Sequence, residues 1–594
     1  NGTNTKKQWK FINNFFGKQA ETTDLECIEV NDKLIYEKKD ILDCLNQYFV
    51  ETGESIAKEL TYDLNNLGVN NIFSEITCDT SISKLELTNV EEINEIILEL
   101  KKSSAPGHDE VSVMDLINLK DIIGPTITTL VNQALTTGIF PKEIKTSKVC
   151  PIFKSGDKKA MNNYRPISVV SALSKILEKV IKKRMTQFMV NNSLYDKFQY
   201  GFVQRSSTLS ATFDFVNFVT KALDQKKIVV VVSIDLRKAF DTVSIDILLR
   251  KLYSMGFRGT FHNILDSYLK HRSQYVKLGN IRSETLQNNY GVPQGSVLGP
   301  LLYSLFVLNL STADLRAQYY TFADDTLLVY TGENEEYLEK LINEDLDKYL
   351  RWLYSNKLKI NIDKTKYIIL KQRNKLMNQI DLKINNISLE KVTSLKYLGL
   401  IVDEFLNWEK HINKVVNKVN PMIPVIYKCR NYLSVRTKHQ IYAAFFLSHL
   451  QYLLPIWGTC GKTNFNQIQI VQNKFLKILY NYEYLTPTDI LYQELNVPKL
   501  DRMLELEQCK LVYKILHNLQ KSNTDFQAVG DIHNYDTRRL TNLYLAQSRT
   551  NIGLNNPGQL ASKSYNNLSH DIRLTKSYTV FVKKCKEFLN IYID

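Results

Sequence analysis

Apolar and polar positions along the chain alternate between two periods, and no internal repeat is visible. Ile41–Tyr48 (ILDCLNQY) has helical spacing, and Val90–Leu100 repeats it, so residues 1–88 read as an amphipathic, mostly helical preamble. Ser103–Asp109 (SSAPGHD) is a Pro/Gly loop. Helices are predicted over Ile117–Ile139, Leu173–Val190 and Leu209–Leu223, with a short strand, Val149–Phe153, before the second. The run Ile228–Asp235 (IVVVVSID) is β-branched on both faces and predicts a buried strand. Helices Ile245–Tyr253 and Thr260–Tyr268 follow, then strands Tyr275–Leu278 and Thr285–Gln287, the glycine-rich turn Gly291–Gly295 and an apolar helix, Leu298–Leu310. Two alternating strands, Gln318–Ala323 and Thr326–Tyr330, enclose Asp324–Asp325. The amphipathic helix Tyr337–Asn356 precedes strand segments Lys359–Asn361, Tyr367–Leu370 and Leu395–Val402, and from about 405 the pattern turns helical. This order describes an α+β lobe, a sheet backed by helices.

Composition refines the picture. At 594 residues the chain is too long for one core, so several lobes are expected. With 44% hydrophobic and 23% charged residues it is a globular protein and not a disordered one. The net charge of +14 favours an anionic partner. Residues 142–227 hold 17 Lys/Arg against 6 Asp/Glu, and residues 405–440 hold 7 against 1. Two basic segments flanking an acidic centre suit a cleft for a polyphosphate backbone, although either alone reads equally well as a solvated surface. The eight cysteines lie no closer than 17 residues apart, which excludes a zinc knuckle and fits free thiols. The most apolar stretch, Ala443–Trp457, is too short to span a bilayer, and no signal peptide is recognised. A chain that opens on Asn1 is expected to continue upstream.

Three carboxylates stand out. Asp235 ends a buried strand, and Asp324 and Asp325 sit where two strands meet, 89 residues later in the case of Asp324. A buried strand that ends in an ionised acid needs a partner for that charge. Two Mg²⁺ ions held by such acids are the usual arrangement for in-line phosphoryl displacement, because hard cations take oxygen ligands. Neighbouring residues on a tight hairpin point to opposite sides, so Asp324 is the expected main ligand and Asp325 the weaker one. A lone Asp-Asp pair is otherwise an ordinary turn.

Other positions gain meaning only beside that centre. Phe240 follows Asp235 by five residues and either stands over the sugar of an incoming nucleotide, excluding a 2′-OH, or is a core residue. Asp241 reads as a helix cap or a fourth acid. Gln294 and Gly295 belong to a turn that lets a backbone approach a flat ligand, or merely enters a helix. Lys154 and Arg165, in FKSGDKKAMNNYRPIS, suit a triphosphate if they fold over one face, Arg165 bidentately. Lys364 or Lys366 is a candidate proton donor to pyrophosphate. Lys410, Lys414 and Lys418 recur every four residues opposite Ile412, Val415 and Val419, a basic stripe for phosphates or a solvated face. Trp408, Tyr427 and Tyr432 are either nucleic-acid contacts or core.

Eight segments in order, SAPGHD, FKSGD…NYRPIS, QYGFVQRSST, VSIDLRKAFD, YGVPQGSVLGPLLYSLF, FADD, LKINIDKTK and LKYLGLIVD, resemble the reverse transcriptases of non-LTR (LINE-type) retrotransposons, Jockey-like elements above all. They cover residues 103 to 402, and the helical tail is similar as well. The resemblance implies a right-hand polymerase with a helical N-terminal extension (1–88), fingers (89–227), palm (228–404), thumb (405–480) and a helical C-terminal region (481–594). It implies that Asp235, Asp324 and Asp325 are the palm carboxylates holding two Mg²⁺, with Mn²⁺ able to substitute, and that Phe240 selects the sugar. By the same resemblance Gln294 lies beside nucleotide and template, Arg165 clamps the triphosphate, Lys364 is preferred over Lys366, and Leu398–Gly399 falls in the primer-gripping hairpin.

The implied partners are an RNA template, a DNA primer or target and dNTPs, with no membrane. The implied setting is the nucleus at the site of action and the cytoplasm during assembly with RNA. The apurinic-like endonuclease, the Cys/His knuckle and a ribonuclease H found among such elements are not recognisable here, so target nicking is expected from an upstream part of the same polyprotein. A repurposed, non-catalytic RNA-binding relic is the competing expectation, disfavoured by the intact acids. An RNA-dependent RNA polymerase is disfavoured by Phe240.

Overall fold

The computed structural model describes residues 25–66, 75–371, 380–532 and 540–591. Its centre is a five-stranded sheet in the order Glu390–Lys391, Lys366–Leu370, Ile228–Ile234, Asp325–Gly332, Gln318–Phe322. All its pairs are antiparallel except that of Lys366–Leu370 with Glu390–Lys391. Ile228–Ile234 is the middle strand. Ile228, Val230, Val232 and Ile234 enter one core, with the helices Ala172–Asn191, Ile245–Ser254 and Glu335–Ser355. Val229 and Val231 enter the other, with Thr208–Asp224 and the helices after residue 405. Burial on both faces explains a valine run without polar alternation.

A second sheet, ordered Tyr164–Val169, Ser147–Phe153, Arg272–Leu278, Ile281–Arg282, carries Leu286–Asn288 beside Arg272–Leu278. The helix Lys38–Asn66 packs on this sheet: Ile41, Leu45 and Phe49 share a core with Val149, Tyr164 and Val276. Beyond the central sheet, helices Pro557–Asn566 and Tyr578–Phe588 close a smaller core on Leu500–Leu516 through Tyr513, Tyr565 and Phe581. All eight cysteines are free thiols. No helix among the described residues is long and apolar enough to cross a membrane.

Several expectations are corrected. In the N-terminal extension Lys38–Asn66 is the expected helix, but Ile28–Val30 and Lys33–Ile35 form a hairpin, and residues 75–88 are irregular. The latter segment satisfies its backbone against the Ser254–Arg258 turn, where Ile82 N–H donates to Gly256 O at 2.9 Å and Arg258 N–H to Ile82 O at 2.9 Å. Residues 1–24 and 67–74 of that extension lie outside the described residues. The apolar helix ends at Phe306 and continues as a 3₁₀ turn, Leu308–Ala313, because the buried ammonium of Lys251 takes the Phe306 carbonyl and the Asn309 amide oxygen. Lys359–Asn361 is no strand; it makes one bridge, Leu236 to Ile360. Leu395–Val402 is a hairpin, Ser394–Tyr397 and Leu400–Asp403, whose turn residues Leu398 and Gly399 have φ of 45° and 86°.

His411, at 3% exposure, lies under that hairpin on the helix Glu409–Val419, and its Nδ1 accepts the Ile401 N–H at 3.3 Å. An accepting nitrogen means a neutral ring here. Burial first, then Lys414 and Lys418, hold its pKa down at about 4. The unfolded chain binds this proton near 6.5 and the folded chain does not, so the stabilisation is present above pH 6.5 and is lost as pH falls toward 4. A shift of that size corresponds to roughly 3 kcal/mol. His411→Gln should therefore lower the melting temperature most at pH 7.5 and least at pH 4.5; a penalty that grows with acidity would contradict a neutral buried ring.

Candidate active site

The sheet register assembles the acids. Thr326 pairs with Ile234, so the next residues, Asp325 and Asp235, stand across from each other at the same end of adjacent strands. Asp325 in turn pairs with Phe322, which leaves Ala323 and Asp324 as a two-residue hairpin turn. Ala323 has φ 57°, a left-handed conformation that costs a residue with a Cβ about 1–2 kcal/mol. Neighbouring chain holds it there. Tyr200 N–H donates to Thr321 O at 2.8 Å, Thr321 N–H donates to Phe198 O at 3.0 Å, and Gly201 lies flat against the Ala323 backbone. A Cβ on Gly201 would stand 2.1 Å from the Ala323 nitrogen.

Asp235 is oriented from the other side. Asn361 Nδ2 donates to its Oδ2 at 2.9 Å, Asn361 N–H donates to its carbonyl at 2.8 Å, and its own N–H donates to Thr365 Oγ1 at 3.3 Å. The Asp325 carboxyl is pushed up to about 6 by partial burial, then by Asp324 and Asp235, with Lys396 opposing. Burial, Arg165 and Lys364 lower the Lys154 ammonium, and Asp235 and Asp324 partly oppose them. Asp235 and Asp324 thus face the Lys154 side, and Asp325 has Lys396 as its cation.

Among the described residues no three His, Cys, Asp or Glu side chains are close enough to share one ion. The acids nevertheless fit divalent cations of the Mg²⁺ type, which take one or two carboxylates and complete their shell with substrate oxygens and water.

Cations gather over the acids. The hairpin Ser147–Phe153/Tyr164–Val169 pairs Ile152 with Arg165, and Lys154 N–H donates to Asn163 O at 2.9 Å, so Lys154 and Arg165 share one face. The Lys154 ammonium is drawn down by burial, then by Arg165 and Lys364. Lys238 joins them: its Nζ donates to Tyr164 O at 3.1 Å, and Lys154, Arg165 and Lys364 all depress it after burial does. Lys364 ends the 3₁₀ turn Ile362–Lys364 and is exposed, whereas Lys366 is ion-paired with Glu390 at 2.8 Å. Elsewhere in residues 142–227 some of the basic side chains form internal pairs. Lys179 meets Glu99 at 2.7 Å, and Lys183 and Arg184 both meet Glu92, at 2.7 and 2.5 Å.

The half-buried Phe240 ring stacks on Tyr303, with centroids 4.4 Å apart and planes at 21°, and meets Phe202 edge-on. Asp241 is no helix cap; Ser244 precedes the helix Ile245–Ser254, and Asp241 Oδ1 accepts from Gln294 Nε2 at 2.8 Å. Burial pushes that carboxyl up to about 6. Gly295, with φ 125°, lies against the Ser168 carbonyl, which a Cβ would meet at 2.3 Å, and Ser168 N–H donates to Gln294 O at 2.7 Å. Glu178 seats the same turn by accepting the N–H groups of Val297 at 2.6 Å and Leu298 at 3.0 Å.

Leu398 and Gly399 meet the later helices. Tyr452 Oη donates to Leu398 O at 2.5 Å, and Lys414 Nζ donates to Gly399 O at 2.9 Å. Lys410 Nζ donates to Thr393 Oγ1 at 2.9 Å, and of the predicted basic stripe Lys410 and Lys418 are exposed and Lys414 is partly buried. Trp408 is core at 2% exposure, whereas Tyr432 is 89% exposed.

Lys238, Asn361, Gly201 and Tyr303 were not found from sequence. Each lies inside a segment already singled out, but a lysine, an amide, a glycine and a tyrosine carry no signal of their own until the strands meet.

Comparison with known proteins adds to this geometry. Residues 154–402 match the family described as reverse transcriptase (RNA-dependent DNA polymerase). The chain is 29% identical over 430 residues to a Drosophila melanogaster protein named probable RNA-directed DNA polymerase from transposon BS, covering 70% of this chain and 47% of that one. It is 29% identical over 433 residues to the RNA-directed DNA polymerase from mobile element jockey of the same organism, covering 71% and 47%. A Pol polyprotein from the type-1 retrotransposable element R2 of Popillia japonica is 26% identical over 241 residues, 38% of this chain and 33% of that protein. The chain spans about half the length of the first two relatives.

Proposed function

We propose, from the premise that residues 154–402 are a reverse transcriptase domain of the Jockey-like non-LTR kind, that the chain is an RNA-directed DNA polymerase. It copies an RNA template from a DNA 3′-OH with dNTPs. The observation that carries this reading is the register that sets Asp235 beside the Asp324–Asp325 hairpin under Lys154, Arg165 and Lys364. Acids at the reacting end and cations over the leaving end suit an in-line attack on a triphosphate.

In this reading residues 89–227 are fingers, 228–404 palm and 405–480 thumb, with 1–88 and 481–594 as extensions. Asp235 and Asp324 would hold two Mg²⁺ ions, or Mn²⁺ in their place, with Asp325 contributing more weakly, and such ions would supply neutralisation of the charge that develops in phosphoryl transfer. The protein's own part is positioning. Asn361 aims the Asp235 carboxylate, Lys154 and Arg165 pair with the triphosphate, and Lys364 donates a proton toward the pyrophosphate. Gln294 and Gly295 line the nucleotide side, while Leu398 and Gly399, at the end of the palm, and Lys410, Lys414 and Lys418, in the thumb, bear on primer and template. The nick that supplies the primer in target-primed synthesis is assigned to an endonuclease in another part of a longer polyprotein, and the site of action to the nucleus.

The test is dNTP incorporation on poly(rA)/oligo(dT) with Mg²⁺, with Asp324→Ala as control. Product from the intact chain and none from the variant is the expected result. No product from either, with RNA still bound in a salt-dependent way, would leave a binding protein instead.

Phe240 offers a finer test. Its ring rests on Tyr303, so Phe240→Ala opens the space above that tyrosine. Ribonucleotide insertion relative to deoxynucleotide insertion should rise by at least about tenfold, the scale of one lost steric contact. An unchanged ratio in single-nucleotide assays would make Phe240 a packing residue only.

A further inference from the structure

A segment near the end of the chain reaches the edge of the acidic hairpin. Asp214, on the helix Thr208–Asp224, is 4% exposed, and its carboxylate draws donors from two directions. From the C-terminal region come the Ser522 hydroxyl, the Asn523 N–H at 2.8 Å, and the Thr524 hydroxyl and N–H at 2.8 and 3.2 Å. From the other side comes the Tyr200 hydroxyl at 2.6 Å. One residue earlier, Lys521 Nζ donates to the carbonyls of Asp196 at 2.7 Å and Gln199 at 2.8 Å, and Lys521 N–H donates to Arg205 O at 2.8 Å.

The segment so gripped is the one that holds the acids. Phe198 and Tyr200 exchange backbone hydrogen bonds with Thr321, and Gly201 lies against Ala323, the strained residue before Asp324. The path is short: hydrogen bonds join residues 521–524 to 196–205 and Phe198 and Tyr200 to Thr321, and the packing of Gly201 on Ala323 completes it. A carboxylate shut away from water is costly unless fully bonded, and here the bonds come only when both segments are docked.

We propose that Lys521 and Asp214 are positioning residues for the acidic hairpin, so that residues 521–524 act as a clamp by which the C-terminal region sets the active-site geometry. The proposal deepens the polymerase reading and rests on it for its meaning, but its first test does not need activity. Neither residue touches substrate in this account.

Lys521→Met keeps the stem and removes the ammonium. Hydrogen exchange of the full chain, followed peptide by peptide, should then show residues 318–326 exchanging at least about tenfold faster while Ile228–Ile234, in the same sheet, is unchanged. In the polymerase assay the Mg²⁺ concentration for half-maximal rate should rise severalfold with the KM for primer–template unaltered. If 196–205 loosens and 318–326 does not, the clamp is overturned. If Ile228–Ile234 loosens equally, the lysine serves general stability and the proposal fails as well. Should Lys521→Met not fold, Thr524→Val, which removes one donor to Asp214, is read by the same peptides. A chain inactive as a polymerase but showing the local loosening would refute the catalytic reading and leave the clamp standing.

Discussion

Asp235→Asn is expected to lower RNA-templated DNA synthesis by about three orders of magnitude, because several kcal/mol of charge stabilisation at the reacting phosphate depend on that carboxylate. The substitution is nearly isosteric and keeps an oxygen for the Asn361 amide to donate to, so the strand end and the turn Ile362–Lys364 should stay in place. What is lost is the negative charge opposite Asp325. Affinity for primer–template should change by less than about threefold, since the phosphate backbone is held by cations and not by this acid. Primer extension on an RNA template, run beside a binding assay at matched salt, separates the two effects. A variant that extends primers within tenfold of the wild-type rate would remove Asp235 from the chemistry.

Gly201→Ala should cost about a hundredfold in rate while leaving the fold intact, a loss typical of a misplacement near one ångström. Gly201 does not have a positive φ, so its backbone accepts alanine; the obstacle is contact. The new methyl would lie 2.1 Å from the Ala323 nitrogen and 2.9 Å from the Phe322 carbonyl carbon. Both are backbone atoms of the hairpin that presents Asp324, and neither can turn aside as a flexible side chain would. The hairpin tip must therefore move relative to Asp235. The reading to take is kcat against KM: kcat should fall, with the nucleotide KM altered little. Circular dichroism and melting close to wild type would establish that the loss is local. Full activity would mean that the tip tolerates displacement and that its position is not what the acids require.

Much of the architecture was legible in residue order. Ile228–Asp235 could only be a strand buried on both sides, and it is the middle strand of the central sheet. The strands around Asp324–Asp325 were visible as alternation, because one residue in two meets a core. Helices such as Thr208–Asp224 showed their spacing for the same reason. Where the reading failed, a polar partner distant in sequence had intervened. The apolar run after Leu298 breaks because Lys251 arrives from another helix to take the Phe306 carbonyl. Leu395–Val402 folds back on itself because Gly399 permits a left-handed turn and Tyr452 anchors it. The stripe Lys410, Lys414, Lys418 looked free because periodicity reports which residues share a face and not what that face meets.

By itself the order of residues determined most of the strands and helices and which side chains carry charge or a hydroxyl, since local spacing against water decides burial where no distant polar partner intervenes. Only the tertiary structure decided that Asp235 faces Asp325, that Lys238 joins the cations, and that Lys521 reaches the hairpin's edge. Those are juxtapositions between segments tens to hundreds of positions apart. They follow from strand register and helix docking, which depend on the packing of whole faces and leave no mark in any one stretch of chain.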